Sequence, residues 1–124
     1  MSFERIQVDF ANAVQQFPLE LRRRPDASLF VKTALQTFAG NFYLASIDLQ
    51  GYPSVMPGVT IDRPALEHGA PHRYNDGRIC YLHPKMWNPG RHDISFVITR
   101  VAKWLNKYDV WRHKKRWPGE EVRH

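Results

Sequence analysis

Cysteine is almost missing from this chain of 124 residues, in which Cys80 stands alone. One thiol cannot close an internal disulfide, and it cannot supply a zinc site of several thiolates. Cys80 is therefore either a small packed side chain or a reactive group. The sequence also lacks any run of about 18 apolar residues, which excludes a membrane-spanning helix. The opening Met1-Ser2-Phe3-Glu4-Arg5 has no basic segment leading into an apolar run, so no secretory signal is read there and a cytoplasmic location is expected. Internal repeats and low-complexity stretches are missing too. With 43% hydrophobic and 24% charged residues the composition is that of a globular chain, not a disordered one. Its length fits a single domain over residues 1–124, with no room for a second.

Acidic residues are the minority, leaving a formal net charge of +6. Much of the excess lies in Arg22-Arg23-Arg24 and in Arg112-His113-Lys114-Lys115-Arg116. Such runs attract nucleic acid or an acidic protein surface. No aromatic-rich binding motif accompanies them, so they read as a solvated face or terminus, and neither nucleic acid nor a membrane is expected as partner.

Phe3, Ile6, Phe10, Ala13, Val14 and Phe17 recur at spacings of three and four, which predicts an N-terminal helix closed by Pro18. Leu19 to Pro25 reads as a basic connector. Ser28 to Phe38 and Asn41 to Leu49 are rich in β-branched and aromatic residues and read as antiparallel strands joined at Ala39-Gly40. Val55 to Ile61 is a third strand, broken by Pro57-Gly58 and so expected at an edge or bulge. Arg63 to Ala70 reads as a loop. Ile94, Val97, Ile98, Val101, Trp104, Leu105 and Tyr108 line one face of a helix from Asp93 to Tyr108, with Asp93 as its cap and Arg100, Lys103, Asn106 and Lys107 opposite. A basic tail, roughly 109–124, follows, anchored by Trp111 and Trp117.

The chemistry points to one stretch, from Pro71 to Pro89. Asn75-Asp76-Gly77 is a tight-turn sequence because these residues tolerate positive φ, and it delivers the chain into Arg78-Ile79-Cys80. The thiol is expected just past a turn, at least partly accessible.

In order, Tyr52-Pro53-Ser54-Val55-Met56-Pro57, His72, Gly77-Arg78-Ile79-Cys80 and Trp87-Asn88-Pro89 resemble the landmarks around the active site of ubiquitin-conjugating enzymes. Arg73-Tyr74 follows His72 where that family has Pro-Asn, and the turn before the cysteine is shorter. The shortened loop and Trp117-Pro118-Gly119 are similar to the bacterial branch of the family, of the kind found in CBASS antiphage operons beside cGAS-like nucleotidyltransferases. The resemblance implies an α+β fold: an N-terminal helix, an antiparallel meander of three to four strands and a long C-terminal helix. It also implies acyl transfer, with Cys80 taking a partner's C-terminal carboxyl as a thioester before an amine displaces it. The partner is then a cGAS-like nucleotidyltransferase or a ubiquitin-like protein, with a separate activating enzyme.

A thiol of ordinary pKa, about 8.5, is only a few per cent ionised at neutral pH, and Arg78, His72 or His83 could raise that fraction. The resemblance gives His72 the task of holding the loop. Asp76 either makes the turn or orients the incoming amine, and His83 either assists the thiol or bonds within its loop. The family asparagine has no direct match, so Tyr74 or Asn75 is the candidate donor to the oxyanion. No cofactor or metal is expected. A papain-like hydrolase fits the landmarks poorly, and a metal site of His72, His83 and His92 lacks any recognised close ligand spacing. The stronger alternative is a non-catalytic binding or scaffold module of the same fold.

Overall fold

Two periodicities in the sequence, three-to-four and two, become the helices and strands of the computed structural model, which describes residues 2–119. Helix α1 spans Ser2–Ala13 and buries Ile6, Asp9 and Ala13. It ends four residues before the expected Phe17. Pro18 disfavours a helical conformation at Phe17, and the chain tightens through Gln16 N–H and Phe17 N–H, both bonded to the Ala13 carbonyl at 3.0 Å.

The expected connector is a strand. β1, Leu19–Arg23, pairs antiparallel with β2, Leu29–Gln36, in the register Leu19 to Thr33 through Arg23 to Leu29. Leu19 and Leu21 are half-buried while Glu20 and Arg22 are exposed, an alternation that the basic character of the segment obscures. Its charges also suit an edge strand, since they discourage pairing with a further chain. β3, Phe42–Asp48, pairs with β2 across a turn in which Gly40 adopts a φ of 91°. β4, Val59–Arg63, closes the sheet order β1-β2-β3-β4, all antiparallel. It starts only after Gly58, so residues 55–58, expected as strand, are not. Pro57 cannot donate to a ladder, and its carbonyl instead accepts the Tyr81 hydroxyl at 2.6 Å. β4 is nonetheless the edge and bulged strand expected: Leu44 pairs with Arg63 and Ala45 with Ile61, so Asp62 is the extra residue.

One face of the meander, with Val31, Leu35, Tyr43, Ala45, Ile47 and Val59, forms the core with helix α2, Ile94–Lys114. Asp93 caps α2, its Oδ1 accepting the Phe96 N–H at 2.8 Å. The helix runs six residues past the expected end at Tyr108. Asp109 is buried and accepts the Tyr43 hydroxyl, Trp111 packs on the core, and Arg112, His113 and Lys114 suit the negative end of the helix dipole. Lys115, at φ 54°, ends it. The expected tail is thus helical through Lys114. Trp111 and Trp117 both pack against the core as anchors, and residues 120–124 of that tail lie outside the described residues. No helix among the described residues is long and apolar enough to cross a membrane.

Arg5 ties α1 to the segment entering α2. Its guanidinium donates to Asp9 at 2.6 Å and to the Pro89 and His92 carbonyls, each at 2.8 Å. Asp9, 6% exposed, also accepts the Tyr52 hydroxyl. Burial and the Asp9 carboxylate hold that phenol well above its ordinary range, so it remains a donor. Arg5→Ala would leave a buried carboxylate with one partner and two carbonyls with none from this side chain. It should cost about 2 kcal/mol in urea unfolding. Arg5→Lys should recover only part, because an ammonium lacks the planar fork.

Candidate active site

The cysteine loop is a small hairpin. Arg73 bridges Ile79 antiparallel, the Tyr74 N–H donates to the Arg78 carbonyl at 2.8 Å, and the Gly77 N–H donates to the Tyr74 carbonyl at 3.1 Å. Gly77, at φ 92°, carries the loop's positive φ, as in a three-residue hairpin loop that ends in a left-handed residue. Asp76 makes the turn: its Oδ1 accepts the Arg78 N–H at 3.0 Å. Asn75 is exposed at its head. Arg78 turns away from the thiol, across Gly58 and towards Asp48 and Asp76 at 3.6 and 3.7 Å.

Cys80 leaves this hairpin held at its backbone, the Cys80 N–H donating to the His72 carbonyl at 2.8 Å. That carbonyl also accepts Trp104 Nε1–H at 3.3 Å, which fastens the loop to α2. His72, at φ 58°, rests its ring 4.9 Å from that of Trp117. His72 thus holds the cysteine backbone and Trp104 through its main-chain carbonyl.

The expected accessible thiol is instead 7% exposed. It lies on a loop, as expected, and lines a cavity of about 310 Å³. Trp104, Trp117, Tyr81 and Leu82 wall the cavity, while Trp87 lies elsewhere, its Nε1–H on the Pro53 carbonyl at 2.8 Å. The Tyr74 hydroxyl lies 3.2 Å from Cys80 Sγ. Burial, then the bond to Cys80 and the charges of Cys80 and Asp76, push the Tyr74 phenol up to about 12, so it acts as a neutral donor to sulfur. His83 lines the same cavity and caps the 3-10 turn Pro84–Met86, its Nδ1 accepting the Lys85 N–H at 3.1 Å.

His72, Tyr74 and His83 are therefore gathered at Cys80, whereas Asn75 and Asp76 shape the turn that presents it. His92 does not join them. Its Nδ1 accepts the Asn88 N–H at 3.0 Å and its ring stacks on Phe96 at 3.9 Å. Among the described residues no three His, Cys, Asp or Glu side chains gather in a way that would hold a metal. The sequence reading missed one feature of the cavity. Arg100, Lys103 and Lys107, expected on the solvent face of α2, line it, and Arg100 Nε–H donates to the Tyr81 carbonyl at 3.1 Å. The signal was available in their spacing of three and four, which places them on one flank beside Trp104.

A cavity lined by a single thiol, with a phenol hydroxyl on the sulfur, holds the kinds of group that acyl transfer through a thioester uses. In fold, the chain is similar to a solved complex of the Vps23 UEV with ubiquitin, at 15% identity and a TM-score of 0.59, with 82% of this chain and 81% of that chain covered. That likeness supports the ubiquitin-conjugating-like α+β fold implied by the landmarks. No curated protein matches the chain. Residues 8–124 match the family model of the Type II CBASS E2 protein, a span that contains the whole sheet, the cysteine hairpin and α2. The chain belongs to the Type II CBASS E2 protein family.

Proposed function

We propose that this protein is an acyl carrier that forms a thioester on Cys80 with the C-terminus of a partner protein in bacterial antiphage defence. The observation that carries the reading is the Tyr74 hydroxyl 3.2 Å from the chain's only thiol, which itself lines a cavity with room for a chain end. At about 310 Å³ the cavity is at the lower end of small-ligand sites, so it suits a narrow tail better than a folded surface.

In the first step the Cys80 thiolate attacks the carbonyl carbon of the activated donor, and the thiolate of a separate activating enzyme leaves. In the second an amine nitrogen attacks the same carbon, the C–S bond breaks, the sulfur leaves as thiolate and the amine's proton passes to solvent or to that sulfur. The His72 carbonyl fixes the cysteine backbone, Asp76 shapes the turn, and Tyr74 is placed to donate to the charge that develops on the carbonyl oxygen. The donor we favour is a cGAS-like nucleotidyltransferase, with a ubiquitin-like protein as the alternative.

Incubating the protein with each donor and its activating enzyme should give an adduct that a thiol reductant removes and that Cys80→Ala abolishes. The low exposure of Cys80 favours a second reading, a scaffold of the same fold in which the thiol only packs. Stable association without adduct, unchanged in Cys80→Ala, would establish that reading instead.

A further inference from the structure

We infer that the cationic flank of α2 beside Cys80 selects a donor tail bearing acidic side chains within about three residues of the acylated carbonyl. The inference rests on reading Cys80 as the acyl acceptor and adds which tail the site takes. Arg100, Lys103 and Lys107 all line the thiol cavity. At a rise of about 1.5 Å per residue they form a row about 10 Å long, the span of roughly three residues of extended chain. The row also has a direction. Arg100 is bonded to the Tyr81 carbonyl, next to the thiol, and Lys107 lies two helical turns on, beyond Trp104. A tail entering at Lys107 would bring its end to Cys80.

Arg5, Arg24, Lys32, Arg78, Arg112 and Lys115 all meet carboxylates, but among the described residues no carboxylate pairs with Arg100, Lys103 or Lys107. Burial, then repulsion from Lys103 and Arg100, holds the Lys107 ammonium below the usual lysine range. Carboxylates placed along the row would relieve that repulsion. Nucleic acid would meet the same charges, yet a small cavity lined by a buried thiol fits a narrow peptide end better than a chain of bases.

The test uses full-length Cys80→Ala protein and short fluorescent peptides with Glu, Gln or Lys at the second and third positions from the C-terminus, read by anisotropy. The Glu peptide should bind about tenfold tighter than the Gln peptide at low salt. That gap should shrink as salt screens it. Reversing the row in Lys103→Glu/Lys107→Glu should make the Lys peptide the preferred one. Lys103→Gln, at an exposed position, is the milder variant and should cut the preference about threefold. Equal binding of the three peptides, no binding of any, or tighter binding of a short single-stranded oligonucleotide would overturn the inference. A clear Glu preference without thioester formation by the native protein would sink the acyl-carrier function and leave this selectivity standing. Thioester formation without charge preference would do the reverse.

Discussion

Trp104→Ala should lower the unfolding free energy by about 3–5 kcal/mol, the range for removing a large aromatic side chain from a core. Trp104 is 4% exposed, stacks on Tyr108 at 5.5 Å and meets Trp117 at 5.3 Å, so its loss would empty the junction between α2, the cysteine loop and the chain beyond α2. The effect should reach the site as well. Trp104 Nε1–H donates to the His72 carbonyl, as does the N–H of Cys80. Trp104→Phe keeps most of the apolar volume and removes that donor, and should cost about 1–2 kcal/mol. Denaturant melts of the two variants separate packing from the hydrogen bond. Equal losses in both would mean that the bond to His72, not the ring volume, dominates.

Tyr74→Phe should slow transfer from a preformed thioester by about a hundredfold, the scale expected when one oxyanion donor is removed. The oxygen of an acyl group on Cys80 lies on the carbon bonded to Sγ, within reach of a hydroxyl already 3.2 Å from that sulfur. Asn75, exposed at the head of the turn, is the weaker candidate, and Asn75→Ala should transfer at close to the native rate. Single-turnover transfer to an amine is the measurement to make, since loading alone does not isolate the second step. Unchanged transfer in Tyr74→Phe would remove Tyr74 from the chemistry.

Where local pattern sufficed, the fold was legible. The face of α2 from Ile94 to Tyr108, the Asp93 cap and the turn at Gly77 each follow from residues close in sequence. β1 was not read because two arginines hide the alternation of Leu19 and Leu21, and that alternation matters only once β2 lies beside it. The last two turns of α2 were missed for a similar reason. Asp109 looks like a surface residue until Tyr43, far away in sequence, covers it. At the site, His72, Tyr74 and His83 could be named from their distance to Cys80 along the chain. The burial of the thiol could not, because two walls of its cavity are Trp104 and Trp117. Nor could the cationic row. Helical periodicity separates core from solvent, and a cavity formed against the flank of a helix falls between the two.

Mapping the bond itself tests the central claim most directly. After incubation with the donor and its activating enzyme, the protein would be digested without reductant and the fragments read by tandem mass spectrometry. The account predicts that the fragment containing Cys80 carries the donor's C-terminal peptide, less one water, through a bond that hydroxylamine cleaves. Recovery of that fragment unmodified, with the donor tail on a lysine instead or on no residue of this chain, would contradict it.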